Sequence, residues 1–133
     1  MASHELKLTS SPVDEDQREL WLQHAAGAIL FEDVRGYALD RMSSELSPEA
    51  KAAVRKGVND ALYGLMMLLD GVAGTLANES EQVELRVQIV RSSVESGDVL
   101  ESLDTQDGDG MCMGYHGWLE GDFGEHPPHV RRA

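Results

Sequence analysis

Val83-Glu84-Leu85-Arg86-Val87-Gln88-Ile89-Val90 alternates apolar and polar side chains as far as Ile89. That period of two is the signature of an extended strand with one face buried. Everything before the polar loop at Asn78–Glu81 repeats instead every three to four residues, as helices do. The change of period divides the chain into a helical first half and a strand-bearing second half. Ser96-Gly97-Asp98 reads as a turn, and Val99 to Leu103 returns antiparallel as the second arm of a β-hairpin. A two-stranded sheet is marginal alone, so its apolar face must pack on helices, and residues Glu5 to Thr9 or a second subunit offer a third strand.

Working back toward the N-terminus, Ser47-Pro48-Glu49 marks a helix start. The serine caps free N–H groups, the proline gives up a hydrogen bond that the first turn lacks anyway, and the acid suits the positive end of the helix. The helix runs from Pro48 to about Leu69. Its second half, Ala61 to Leu69, is apolar nearly all round and is expected to be buried centrally or in a subunit interface, which in so short a chain allows a homodimer. Asp70-Gly71 and Gly74 supply its stop. An earlier helix starts near Val13, behind Ser10-Ser11-Pro12 and with Asp14, Glu15 and Asp16 at its head, and continues to about Met42. Its stripe is Leu20, His24, Gly27, Phe31, Val34 and Ala38, with a bend expected at Gly27 or Gly36. The expected fold is α+β in one domain, 1–133: two long N-terminal helices, a β-hairpin with room for a third strand, and a short C-terminal helix. Residues 1–9 and 130–133 read as loose termini.

Composition narrows the function. The chain of 133 residues has 11 Lys and Arg against 24 Asp and Glu, a formal charge of −13, and a single cysteine. No basic surface exists to neutralise a row of phosphates, which excludes sequence-independent nucleic-acid binding, and an anionic membrane is disfavoured for the same reason. The longest apolar run is half the roughly 18 residues of a spanning helix. The N-terminal residues lack the pattern of a signal peptide and one cysteine forms no internal disulfide, so a reducing cytoplasm is the expected compartment. No phosphate-binding glycine loop, nucleophile elbow or dinucleotide fingerprint is present, and no catalytic set or cofactor is expected.

Between Arg91 and Arg131 there is no Lys or Arg, while nine acids crowd the segment. Asp107-Gly108-Asp109-Gly110 has the letters of a calcium loop, but the register then places His116 where a bidentate acid belongs, and a plain turn explains the same residues. His116 and Glu120 are four apart on one helical face, and with Asp107 or Asp109 they compose the candidate metal set of an alternative reading, a small divalent-metal protein or metal-dependent enzyme. HExxH, paired cysteines and ExxH repeats are all missing. Cys112 beside His116 invites a thiolate–imidazole pair, but the acidic surroundings raise a thiol pKa. Asp33, Asp60 and Asp70 are explained by capping, solvation or pairing with arginines.

The favoured reading is a non-catalytic interaction protein. Tyr115, Trp118 and Phe123, interleaved with Glu120 and Asp122, have the composition of a surface for a basic protein partner, the rings giving contact area and the acids steering encounter. The competing assignment has the rings anchoring the last helix to the core and the acids as its solvated face. In size and charge, though in no motif, the chain resembles small acidic bacterial inhibitors, which implies an immunity-type protein that blocks a basic partner such as a nuclease toxin.

Overall fold

The computed structural model describes residues 2–132 and has an α+β architecture. Helix α1 (Glu15–Leu30) opens with the Asp14 carboxylate accepting from the Gln17 N–H at 3.0 Å, two residues later than the start expected at Val13. It passes without a break into one widened π turn (Phe31–Arg35) and then α2 (Gly36–Asp40), so the irregularity falls just before Gly36 and not at Gly27. Helix α3 (Pro48–Leu69) is capped as its sequence dictates, Ser47 Oγ accepting from the Ala50 N–H at 3.2 Å. It stops at Gly71, whose φ of +80° is a left-handed value that side chains resist.

The stripe expected on the first helix is only partly buried, since Leu20 and Val34 are exposed while the consecutive residues Trp21, Leu22 and Gln23 are all buried. Three neighbours in a row cannot share one face of a helix. They are all covered because α1 lies between two elements, helix α4 (Met111–Leu119) on one side and strand β4 (Gln88–Ser92) on the other.

The alternating segment does not form one strand. Residues Gln82–Glu84 (β3) pair antiparallel with Thr75–Ala77 (β2), in the register Leu76 with Val83, while β4 pairs antiparallel with Val99–Asp104 (β5). The chain turns a corner between them at 85–87. Arg86 holds this corner, its guanidinium Nε donating to Asp104 at 2.8 Å and Nη1 to Glu84 at 3.2 Å. The split leaves Val83, Leu85 and Val87 exposed and only Ile89 half-buried, so the apolar face expected to be buried is largely uncovered.

The expected third strand exists as Leu6–Leu8 (β1), but it pairs with His129–Arg131 (β6) and not with the hairpin. The segments read as loose termini are therefore tied to each other, Met1 and Ala133 lying outside the described residues. Thr9 strengthens the clasp: its N–H donates to the Pro128 carbonyl at 2.8 Å and its hydroxyl to that of Pro127 at 2.9 Å.

The core is small. Leu62, Met66 and Leu69 of α3 meet Met111, Tyr115 and Trp118 of α4, with Ala26, Leu30 and Phe31 closing the third side. The apolar second half of α3 is thus committed to this core along one face. Among the described residues no helix is long and apolar enough to cross a membrane.

Candidate functional site

The close approach of α4 to α1 is set by glycine. A Cβ at Gly27 of α1 would fall 2.5 Å from the Trp118 ring, and one at Gly114 of α4 would do the same. These two absences let the indole lie flat between the helices, where it is 2% exposed. Its Nε1–H donates to Nδ1 of His24 at 2.8 Å. Indole nitrogen is a donor only, so this bond leaves the neutral His24 with its proton on Nε2. Burial pushes the His24 pKa below the ordinary imidazole value, against an opposing pull from Asp122.

Beside this contact the two helices leave an open cleft of about 490 Å³, lined by Leu20, Gln23, His24, Asp109, Gly114 and Asp122 among others. Its floor is backbone and indole because Gly114 and Gly117 present no side chains. Asp109 and Asp122 stand exposed at its rim. Glu19, one turn before Gln23, has its pKa raised by partial burial and then by Asp109, Asp16, Glu15 and Asp107. The first turns of α1 and the loop before α4 therefore share one negative field, and among the described residues no Lys or Arg forms an ion pair with any of these five acids. Gln23 is 2% exposed, and its side-chain Nε2 is buried without a hydrogen-bond partner among the described residues. A buried amide nitrogen in that state costs on the order of 1–3 kcal/mol.

The residues singled out from sequence divide between three places. Asp109, Trp118 and Asp122 meet at the cleft, and Phe123 stacks on Trp118 at a centroid distance of 6.2 Å. Tyr115 and Trp118 are core residues, the Tyr115 hydroxyl donating to the Asn59 carbonyl at 2.6 Å. Their rings face inward, so the surface expected from the sequence lacks its aromatic half. His116 and Glu120 are exposed on the other side of α4, where His116 packs near the rings of Tyr63 and Tyr115. They do not converge with Asp107 and Asp109: among the described residues no three His, Cys, Asp or Glu side chains are grouped so as to hold a metal ion.

Cys112 has its thiol pKa raised, first by burial and then by a hydrogen bond and charge from Asp70. It is held as a protonated thiol, the wrong state for a nucleophile. Asp33 accepts from Ser3, Asp60 pairs with Lys56 one turn away, and Asp70 accepts from the head of α4, so each of the three has a structural partner. Gln23, which also lines the cleft, carries no motif. Its only sequence signal is an amide set in Trp21-Leu22-Gln23-His24-Ala25, together with Gly110, Gly114 and Gly117 along one face of α4.

A pH dependence follows from the depressed histidines. His129 is also pushed down by burial, opposed by Glu32 and assisted by Arg131. For a histidine whose folded pKa lies below its unfolded value near 6.5, the unfolded chain takes up protons first, so the stabilisation is complete above about pH 7 and is lost as pH falls. The urea midpoint is expected to drop between about pH 7.5 and 5.5, with a shallower drop in His24→Gln, whose side chain offers Trp118 an acceptor that does not titrate. Equal slopes in the two proteins would show that His24 is not the group responsible.

Comparison with protein-family models, with curated proteins and with solved structures finds no match.

Proposed function

We propose that the protein is a non-catalytic interaction module that takes a basic segment of a protein partner into the cleft between α1 and α4. The observation that carries this reading is the acid-rimmed cleft, with Asp109 and Asp122 exposed at its edge and Glu19 held in the same negative field. A peptide segment bearing Lys or Arg supplies a cation for Asp109 and Asp122. The net charge of −13 adds long-range attraction, which speeds encounter more than it strengthens the complex. Inhibition of a basic protein by occupying its cationic cleft is one form such binding takes. Among the described residues the metal-dependent alternative has no cluster of ligands to support it.

Calorimetric titration with an arginine- and glycine-repeat peptide tests the reading. Asp109→Asn together with Asp122→Asn is expected to weaken binding about tenfold, the worth of one or two partly screened charge contacts. Glu79→Gln with Glu81→Gln removes the same charge at the exposed tip between β2 and β3 and is expected to change affinity little. Equal losses in the two double variants would mean that only overall charge matters, and the cleft would then not be the site.

A further inference from the structure

The second large concavity is apolar. A groove of about 470 Å³ runs between α1, α3 and β4, with Leu8, Ile29, Val87 and Val90 exposed along its rim and Leu65 and Leu69 deeper inside. Nothing among the described residues fills it. Elsewhere in the chain an apolar surface of matching character projects into solvent. In the β2–β3 hairpin Leu76 lies directly opposite Val83, and one further rung joins the Leu85 N–H to the Gly74 carbonyl at 3.1 Å. Side chains alternate along a strand, so Leu76, Val83 and Leu85 share one face while Thr75, Ala77, Gln82 and Glu84 share the other. The three aliphatic residues are 80%, 71% and 58% exposed. An isolated two-stranded hairpin is marginally stable in water, and this one has an apolar face with no cover.

The arm cannot reach the groove of its own chain. Its C-terminal root joins a groove wall almost directly, Leu85 being two residues before Val87. A connection that short spans only about 7 Å, so folding the arm back would pull β4 out of its ladder. A second copy meets no such restraint.

The exposed area measures the deficit. A folded monomer of 14.6 kDa exposes about 6,900 Å² by the scaling of surface with mass. This chain exposes 8857 Å², an excess of about 2,000 Å² over that scaling. A homodimer that is obligate buries about 1,000–2,500 Å² on each subunit, so the surplus is of the size one such interface removes.

We propose that the protein forms a two-fold homodimer by arm exchange, the Leu76–Val83–Leu85 face of each β2–β3 hairpin seating in the partner copy's groove between α1, α3 and β4. The contact is isologous, because each chain gives one arm and receives one. It leaves the α1–α4 cleft outside the interface, so the two readings stand or fall separately.

Sedimentation equilibrium of the full chain tests it with two independent variants. The native protein is expected as a dimer at micromolar concentration. Leu76→Glu with Val83→Glu on the arm, and Ile29→Glu at the groove rim, are each expected to weaken dimerisation about a hundredfold or more, since charge placed in an apolar contact must be desolvated. Both sets lie at exposed positions, so circular dichroism of the monomers is expected to stay native. Mixing the two variants restores one intact arm in one intact groove and is expected to yield a heterodimer that neither forms alone. A monomeric native protein, a dimer indifferent to the arm variant, or a mixture that stays monomeric would each overturn the arrangement.

Discussion

Trp118→Ala is expected to remove about 3–5 kcal/mol of stability, the range found when a fully buried aromatic is cut to a methyl group. Several losses coincide at this residue. The indole fills the gap left by Gly27 and Gly114, stacks on Phe123, and meets Phe31 edge to face at 6.2 Å. Its truncation also leaves Nδ1 of His24 without its donor. Only nine hydrophobic side chains form the buried core among the described residues, so the cavity cannot be closed by a large surrounding core. Natural domains have about 5–15 kcal/mol in total, and this variant is expected to sit near the edge of folding at room temperature. Urea unfolding followed by circular dichroism measures the loss. Met113→Ala, on the exposed side of the same helix, is expected to change little and serves as the comparison. A Trp118→Ala loss of about 1 kcal/mol or less would mean that the indole is not the keystone between α1 and α4.

Asp70→Ala is the second large loss, expected at about 2–3 kcal/mol. Helix α4 begins after Gly110, which has no side chain with which to cap it and adopts a φ of +111°. The cap comes from another helix. Asp70, at the end of α3, accepts the Met111 N–H on Oδ1 at 2.6 Å and the Cys112 N–H on Oδ2 at 2.9 Å. The carboxylate satisfies two free donors and places its charge at the positive end of α4. Alanine leaves both N–H groups unmatched at the edge of the core. Asp70→Asn keeps one acceptor and loses the charge, for which about half the cost is expected. The asparagine variant carries a second readout, because Asp70 helps to hold the Cys112 thiol protonated. Its removal is expected to lower that pKa and speed alkylation of Cys112 near pH 8. Unchanged stability and unchanged thiol reactivity together would dismiss the bridging role of Asp70.

Helices were legible because their ends are written in single residues. Ser47-Pro48-Glu49 and Asp14-Glu15-Asp16 specify caps that depend on local chemistry alone, and the structure places them within two residues of the expected positions. The strands were legible in kind and not in pairing. Alternation from Val83 to Ile89 reports extended backbone, but it is silent on the corner at 85–87, which depends on Arg86 reaching Asp104 from 18 residues away. The pairing of Leu6–Leu8 with His129–Arg131 joins the two ends of the chain, and no local pattern encodes it. The cleft was half legible. Asp109 and Asp122 stood out as charge, whereas Gln23 became notable only when α1 proved to be covered on two sides. The inward turn of Tyr115 and Trp118 follows the competing reading of the aromatic cluster, in which the last helix needs its rings to reach α3.

The dependence of the core on α4 also sets an order of events. Leu62, Met66 and Leu69 are in place once α3 forms, yet their partners Met111, Tyr115 and Trp118 come some 50 residues later, after both hairpins. Contacts that distant close slowly, because the loop entropy falls due before the packing repays it. During synthesis the apolar half of α3 therefore leaves the ribosome well ahead of the helix that covers it, and the strand clasp between Leu6–Leu8 and His129–Arg131 forms later still. The nascent chain passes through a stage in which its stickiest segment is uncovered, the stage at which a chaperone would engage it.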